Sequence, residues 1–163
     1  MSFPIADATL LAQDISEFVP HRAPMILIDN LLDHQPDTLL TAIHISESSA
    51  YFDSIIKGVP NYVGIEYMAQ TIAAYSGIHS RLLGEQPKLG FLLGSRKYAP
   101  SCSVFPNDSE LVIYTEKIIQ EDSGLCVFDC TISAADNVIV NAKINAFQPP
   151  NIDAYLTSNH DNE

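Results

Sequence analysis

A single acidic residue, Glu66, stands in the longest helical pattern of the chain, the stretch from Val59 to Gly84. A carboxyl group among apolar residues can donate a proton when neutral, and can act as a base or activate water when ionised. Burial favours the first state; the positive end of a helix, less than two turns away, favours the second. The plainer alternative is a buried Glu bonded to a neighbouring backbone or side chain. Gln70, one turn on and on the same face, is placed to orient Glu66 rather than to react. Asp53 and Tyr51 could add an acid or a hydroxyl from the irregular approach to the helix. His44 falls in a strand pattern and reads as a face or interface residue, while His34 and His79 read as solvent-facing. Cys102, Cys126 and Cys130 have no metal-ligand spacing and read as reduced packing residues.

The elements that must position these groups follow from periodicity. Val63, Met68, Ile72, Tyr75, Ile78 and Leu82 recur at helical spacing, and Glu66, Ala69, Gln70, Ala73 and Gly77 form a second stripe of mostly small residues. A helix apolar nearly all round is buried. Pro60 and Asn61 can start it, Asn61 by accepting from an orphan N–H, and Gly84 can end it. Before it, a short helix from Asp14 to Phe18 stops at Pro20, and strand-like runs at 25–32 and 38–46 make a hairpin across HQPD. After it come a run at 88–99 and three alternating strands at 110–122, 124–134 and 137–148, an antiparallel meander. The order predicts an α+β fold: one antiparallel sheet of about six strands wrapped around one long central helix. Residues 1–150 are expected to form a single domain, and 151–163 a polar, acidic tail whose last residues, SNHDNE, resemble a frayed end. Such a sheet has two exposed edges and covers only part of the helix, so a symmetric dimer is expected.

With 163 residues and 47% hydrophobic content, the chain can bury one substantial core. A net charge of -12 with only eight Lys and Arg argues against nucleic acid or an anionic membrane as partner. No apolar run approaches the roughly 20 residues of a membrane span, and no charged signal-peptide start is present, so a cytoplasmic location is expected.

Several separated motifs then carry a family resemblance. Pro20-His21-Arg22 before an apolar strand with Asp29, and Pro60 followed by Glu66-Tyr67-Met68-Ala69-Gln70, resemble the β-hydroxyacyl-acyl-carrier-protein dehydratases of the FabZ type over about residues 14–149. The strings GFLLGSRKY and INAFQP look like the predicted dehydratases of aryl-polyene gene clusters. The resemblance implies a hotdog fold, no metal and no redox cofactor, and carrier-bound (3R)-3-hydroxyacyl thioesters as substrate in fatty acid or aryl-polyene biosynthesis. Its partners would be an acyl carrier protein with a phosphopantetheine-linked chain, and a second hotdog subunit, identical or related. The family's catalytic histidine, in a His-Phe-Pro segment just before the helix, has no counterpart here: the chain runs SSAYFDSIIKGVP, about three residues shorter, and no histidine lies between His44 and His79.

Glu66 is thus one catalytic group, and His21 is the substitute base that the shared motif offers. The N–H groups of Tyr62, Val63 and Gly64 are expected to face the thioester oxygen, Gly64 also letting the acyl chain come close. Gln70, Tyr51 and Phe52 complete the substrate set, and Arg96 and Lys97 offer a cationic spot for an acidic carrier protein. Two alternatives stay open: a catalytically incomplete subunit paired with an active paralogue, and a hotdog thioesterase in which Glu66 activates water.

Overall fold

In the computed structural model, which describes residues 4–160, a six-stranded antiparallel sheet bends around one helix. A one-turn helix α1 (Ala8–Leu11) and a 3₁₀ turn (Ile15–Glu17) precede β1 (Asn30–His34) and β2 (Thr38–His44). β3 (Gly58–Pro60) and a 3₁₀ turn lead into α2 (Gly64–Leu82). Then follow β4 (Phe91–Pro100), β5 (Val104–Pro106), β6 (Glu110–Gln120), β7 (Leu125–Ala134), β8 (Asn137–Phe147) and α3 (Ile152–His160). The sheet order is β1-β2-β6-β7-β8-β4, and β3 pairs with β5 separately. This is the expected α+β hotdog arrangement.

Alternation builds the concave face. Leu39, Thr41 and Ile43 of β2, Leu111, Ile113 and Thr115 of β6, and Cys126, Phe128, Cys130 and Ile132 of β7 all point inward. They meet Tyr67, Met68, Thr71, Tyr75 and Ile78 of α2. Each large apolar side chain so buried contributes roughly 1.5–3 kcal/mol. The polar pair at the centre is satisfied, the Thr41 and Thr71 hydroxyls lying 2.8 Å apart and Thr71 donating to the Tyr67 carbonyl. Ala135 and Asp136, both at positive φ, form the tight turn between β7 and β8. Gly84, at φ 75°, closes α2 with Glu85 N–H donating to the Ser80 carbonyl.

Several local expectations are corrected. Residues 25–28 are not in the sheet ladder, because the buried Gln70 side chain takes the place of a strand: it accepts from Leu27 N–H and donates to the Met25 carbonyl, each at 2.8 Å. His34 is fully buried rather than solvent-facing, since the register of β1 shifts between Leu31 and Asp33 and turns it inward, where its Nδ1 accepts from Ala6 N–H. His79 is likewise half-buried, 3.2 Å from the Pro36 carbonyl. Asn61 does not cap the helix; its amide donates to the Cys102 carbonyl, and the helix start has no side-chain cap. The polar, acidic tail carries α3, whose Tyr155 ring lies against Phe91 and Phe147, and the last residues, 161–163, lie outside the described residues.

Candidate functional site

Glu66 projects from the first turn of α2 with its side chain 41% exposed, and His21 stands opposite it, 30% exposed, with Nε2 3.7 Å from Oε1. The two residues are far apart in sequence, and three features join them. Gln70 donates from Nε2 to the same Oε1 at 2.9 Å while its other bonds pin residues 25–27 to the helix. Gly77 has no side chain, so the Phe18 backbone lies directly on the helix, where a Cβ would overlap the Phe18 carbonyl. Arg81 then holds the same segment through Glu17 at 2.8 Å and over the Phe18 ring. Arg22 fixes the turn itself: its guanidinium donates to the carbonyls of Ser16, Val19 and His21. His21 is left facing Glu66, with its Nδ1 buried and lacking a hydrogen-bond partner among the described residues.

The pair opens onto a cavity of about 300 Å³ between α2 and the sheet. Its floor is the stripe Glu66, Ala69, Ala73, Ser76 and Ser80, and its roof is Cys126, Phe128, Ile144, Ala146 and Phe147. Of the sequence's small-residue stripe only Glu66, Ala69 and Ala73 face this groove, Gln70 and Gly77 being turned to the segment before β1; the groove is mostly apolar, with an acid and an imidazole at one end. His79 lines the far half, and burial holds its imidazole down at about 4. Among the described residues no group of three or more His, Cys, Asp or Glu could hold a metal ion.

The remaining candidates lie elsewhere. Tyr51 and Tyr62 are exposed, Phe52 packs on the core, and neither they nor Val63 line the cavity. Asp53 is consumed by its own turn, accepting from Ile55 and Ile56 N–H. Gly64 is not open to an acyl chain: the space of its absent side chain is filled by Tyr98, Ile132 and Phe105. Tyr98 also donates to the Asn61 carbonyl and so clamps the helix start to β4; burial pushes its hydroxyl up to about 12. Arg96 and Lys97 are exposed on β4, away from the cavity. His44 binds Glu110 at 2.5 Å on the sheet's outer side. Phe91, Phe147 and Tyr155 carry no signal in the sequence, and they meet only because β4 and β8 are neighbours.

Comparison with known proteins identifies the family and the fold. The family model described as ApeP-like, ApeP dehydratase, matches residues 13–157. The 3-hydroxyacyl-acyl-carrier-protein dehydratase FabZ of Psychrobacter arcticus is 28% identical over 134 residues, 80% of this chain and 90% of that protein. The FabZ of Proteus mirabilis is 30% identical over 126 residues, 74% of this chain and 81% of that protein. A chain of the dehydratase heterocomplex ApeI:P from Xenorhabdus doucetiae superposes with a TM-score of 0.81 at 26% identity, covering 90% of this chain and 98% of that one. With its hotdog fold and 3-hydroxyacyl-acyl-carrier-protein dehydratase-like function, this chain belongs to the ApeP-like dehydratase family.

Proposed function

We propose that the protein removes water from carrier-bound 3-hydroxyacyl thioesters, with Glu66 and His21 as its acid–base pair and with a related hotdog subunit beside it. The observation that carries this reading is the 3.7 Å approach of His21 to Glu66 at the end of an apolar groove. The imidazole takes the proton from C2 of the substrate, and the protonated carboxyl gives one to the hydroxyl on C3. The C3–O bond breaks, C2=C3 forms and water leaves. The proton now on His21 returns to Glu66 across their short separation, which restores the pair. Gln70 holds Oε1 throughout and so keeps the carboxyl aimed at the groove. Arg96 and Lys97 form the proposed contact for an acidic carrier, in a chain otherwise carrying a net charge of -12.

A second reading has support of its own: Glu66 is half of a site whose histidine comes from the neighbouring subunit. The loop before α2 holds no histidine, and His21 Nδ1 has no acceptor among the described residues to fix its tautomer. A solved structure similar to this chain is a heterocomplex. In the deciding experiment, purified chain, alone and with a related hotdog subunit, is given a 3-hydroxyacyl-carrier substrate and the products are weighed. Water loss that Glu66→Gln abolishes supports both readings, and His21→Asn separates them. A hundredfold or greater fall assigns the base to His21, whereas an unchanged rate assigns it to the partner. Hydrolysis of the thioester in place of water loss would overturn both in favour of a thioesterase.

A further inference from the structure

The groove runs along α2 from Glu66 past Ser76 to Ser80 and Leu83. At Ser76 its sides are tied together. Gln148 Nε2 donates to Ser76 Oγ at 2.8 Å, and at 3.4 Å it also meets the Lys88 carbonyl, so helix, sheet and the segment before β4 are clasped together. Phe91 and Phe147 are direct partners across β4 and β8, and both line the groove.

Behind them stands Tyr155. Its ring centroid is 5.7 Å from that of Phe91 and 5.4 Å from that of Phe147. Pro149 and Pro150 follow the end of β8 and stop the sheet ladder, and Asn151 opens α3 by accepting from Ala154 N–H at 3.0 Å. A nine-residue helix is marginal by itself. Ile152 and Tyr155 are half-buried, and the other described side chains of α3 are exposed. The helix is therefore anchored by the Tyr155 ring on the two phenylalanines.

We infer that α3 sets how long a linear acyl chain the groove accepts, Tyr155 bracing Phe91 and Phe147 as the wall of its far half. This rests on the dehydratase reading, because that reading puts C3 of the substrate at Glu66 and sends the rest of the chain down the groove. Tyr155 touches no substrate; it is a positioning residue that keeps the two rings from swinging outward.

The test is a length series on the full chain. Saturated fatty acids from six to twenty carbons compete with a fluorescent polyene fatty acid for the groove, and the dehydration of 3-hydroxyacyl-carrier substrates of the same lengths is followed by mass. Wild-type affinity should rise with length up to the wall and then fall. In Tyr155→Ala the break should move at least two carbons longer, with the longest chain bound about tenfold more tightly, and Tyr155→Phe should restore the original profile. A Tyr155→Ala protein that melts as a folded protein and keeps the wild-type length profile overturns the inference. Dehydration of a four-carbon substrate, too short to reach the wall, reports separately on the dehydratase reading; if it occurs while the length profile is unmoved, only the wall is wrong.

Discussion

Glu66 is useful because Gln70 has no freedom. The Gln70 amide is buried, and its three bonds run to Leu27 N–H, the Met25 carbonyl and Glu66 Oε1. Replacing Glu66 with Gln keeps the shape but removes the transferable proton, so activity should fall by about 10²–10⁴-fold, the usual worth of one acid–base group. The melting temperature should stay close to wild type, since the side chain is 41% exposed. Gln70→Leu should do both kinds of damage. It strands a buried N–H and a carbonyl, for roughly 2–4 kcal/mol of stability by denaturant titration, and it frees the carboxyl to rotate, which should lower kcat more than it raises KM. A stable Gln70→Leu protein with normal kcat would show that the carboxyl is aimed by something else.

At the scale of elements, the site depends on how the segment before β1 docks on α2. Gly77 makes that contact possible, and Ala at this position would drive a methyl group into the Phe18 carbonyl. Overpacking of this kind costs about 1–3 kcal/mol, readable as a lower denaturation midpoint. Because Phe18 lies three residues before His21, the same change should reduce dehydration by more than the lost stability explains; equal activity per folded molecule would separate His21 from the chemistry. Legibility in the sequence divides along the same line. α2, the hairpin of β1 and β2, and the meander of β6, β7 and β8 are readable because each repeats a period over many residues. Residues 25–28 read as strand because they are apolar and branched, but their partner is one glutamine side chain from the helix, which no local pattern announces. The burial of His34 follows from a one-residue shift inside a five-residue strand. α3 depends on Tyr155 meeting two rings from β4 and β8, so its own composition, polar and acidic, points to a free end. Glu66 and Gln70 stand out in the sequence, whereas the closeness of His21 requires the fold.

Across the whole molecule, charge and burial respond to acid in opposite senses. With a net charge of -12, partial protonation of surface carboxylates relieves self-repulsion and favours the compact state. Against this stand two histidines held uncharged. Burial lowers His34 from its ordinary value, and it lowers His79 from 6.5 to about 4. In the unfolded chain both take up a proton near pH 6.5, while in the folded chain His79 does so only near pH 4. The unfolded state therefore binds more protons through that window, and the stability that the neutral imidazole provides is complete above about pH 6.5 and is lost as the pH falls toward 4. Partial exposure to solvent reduces the effect, to roughly 2 kcal/mol for His79. His79→Phe keeps a ring beside Tyr75, whose centroid lies 4.4 Å from that of His79, and removes the titrating group. Denaturant midpoints measured between pH 7 and pH 4 should fall less steeply in this variant than in wild type. Parallel slopes would mean that the carboxylates, and not the imidazole at the far end of the groove, govern the response to acid.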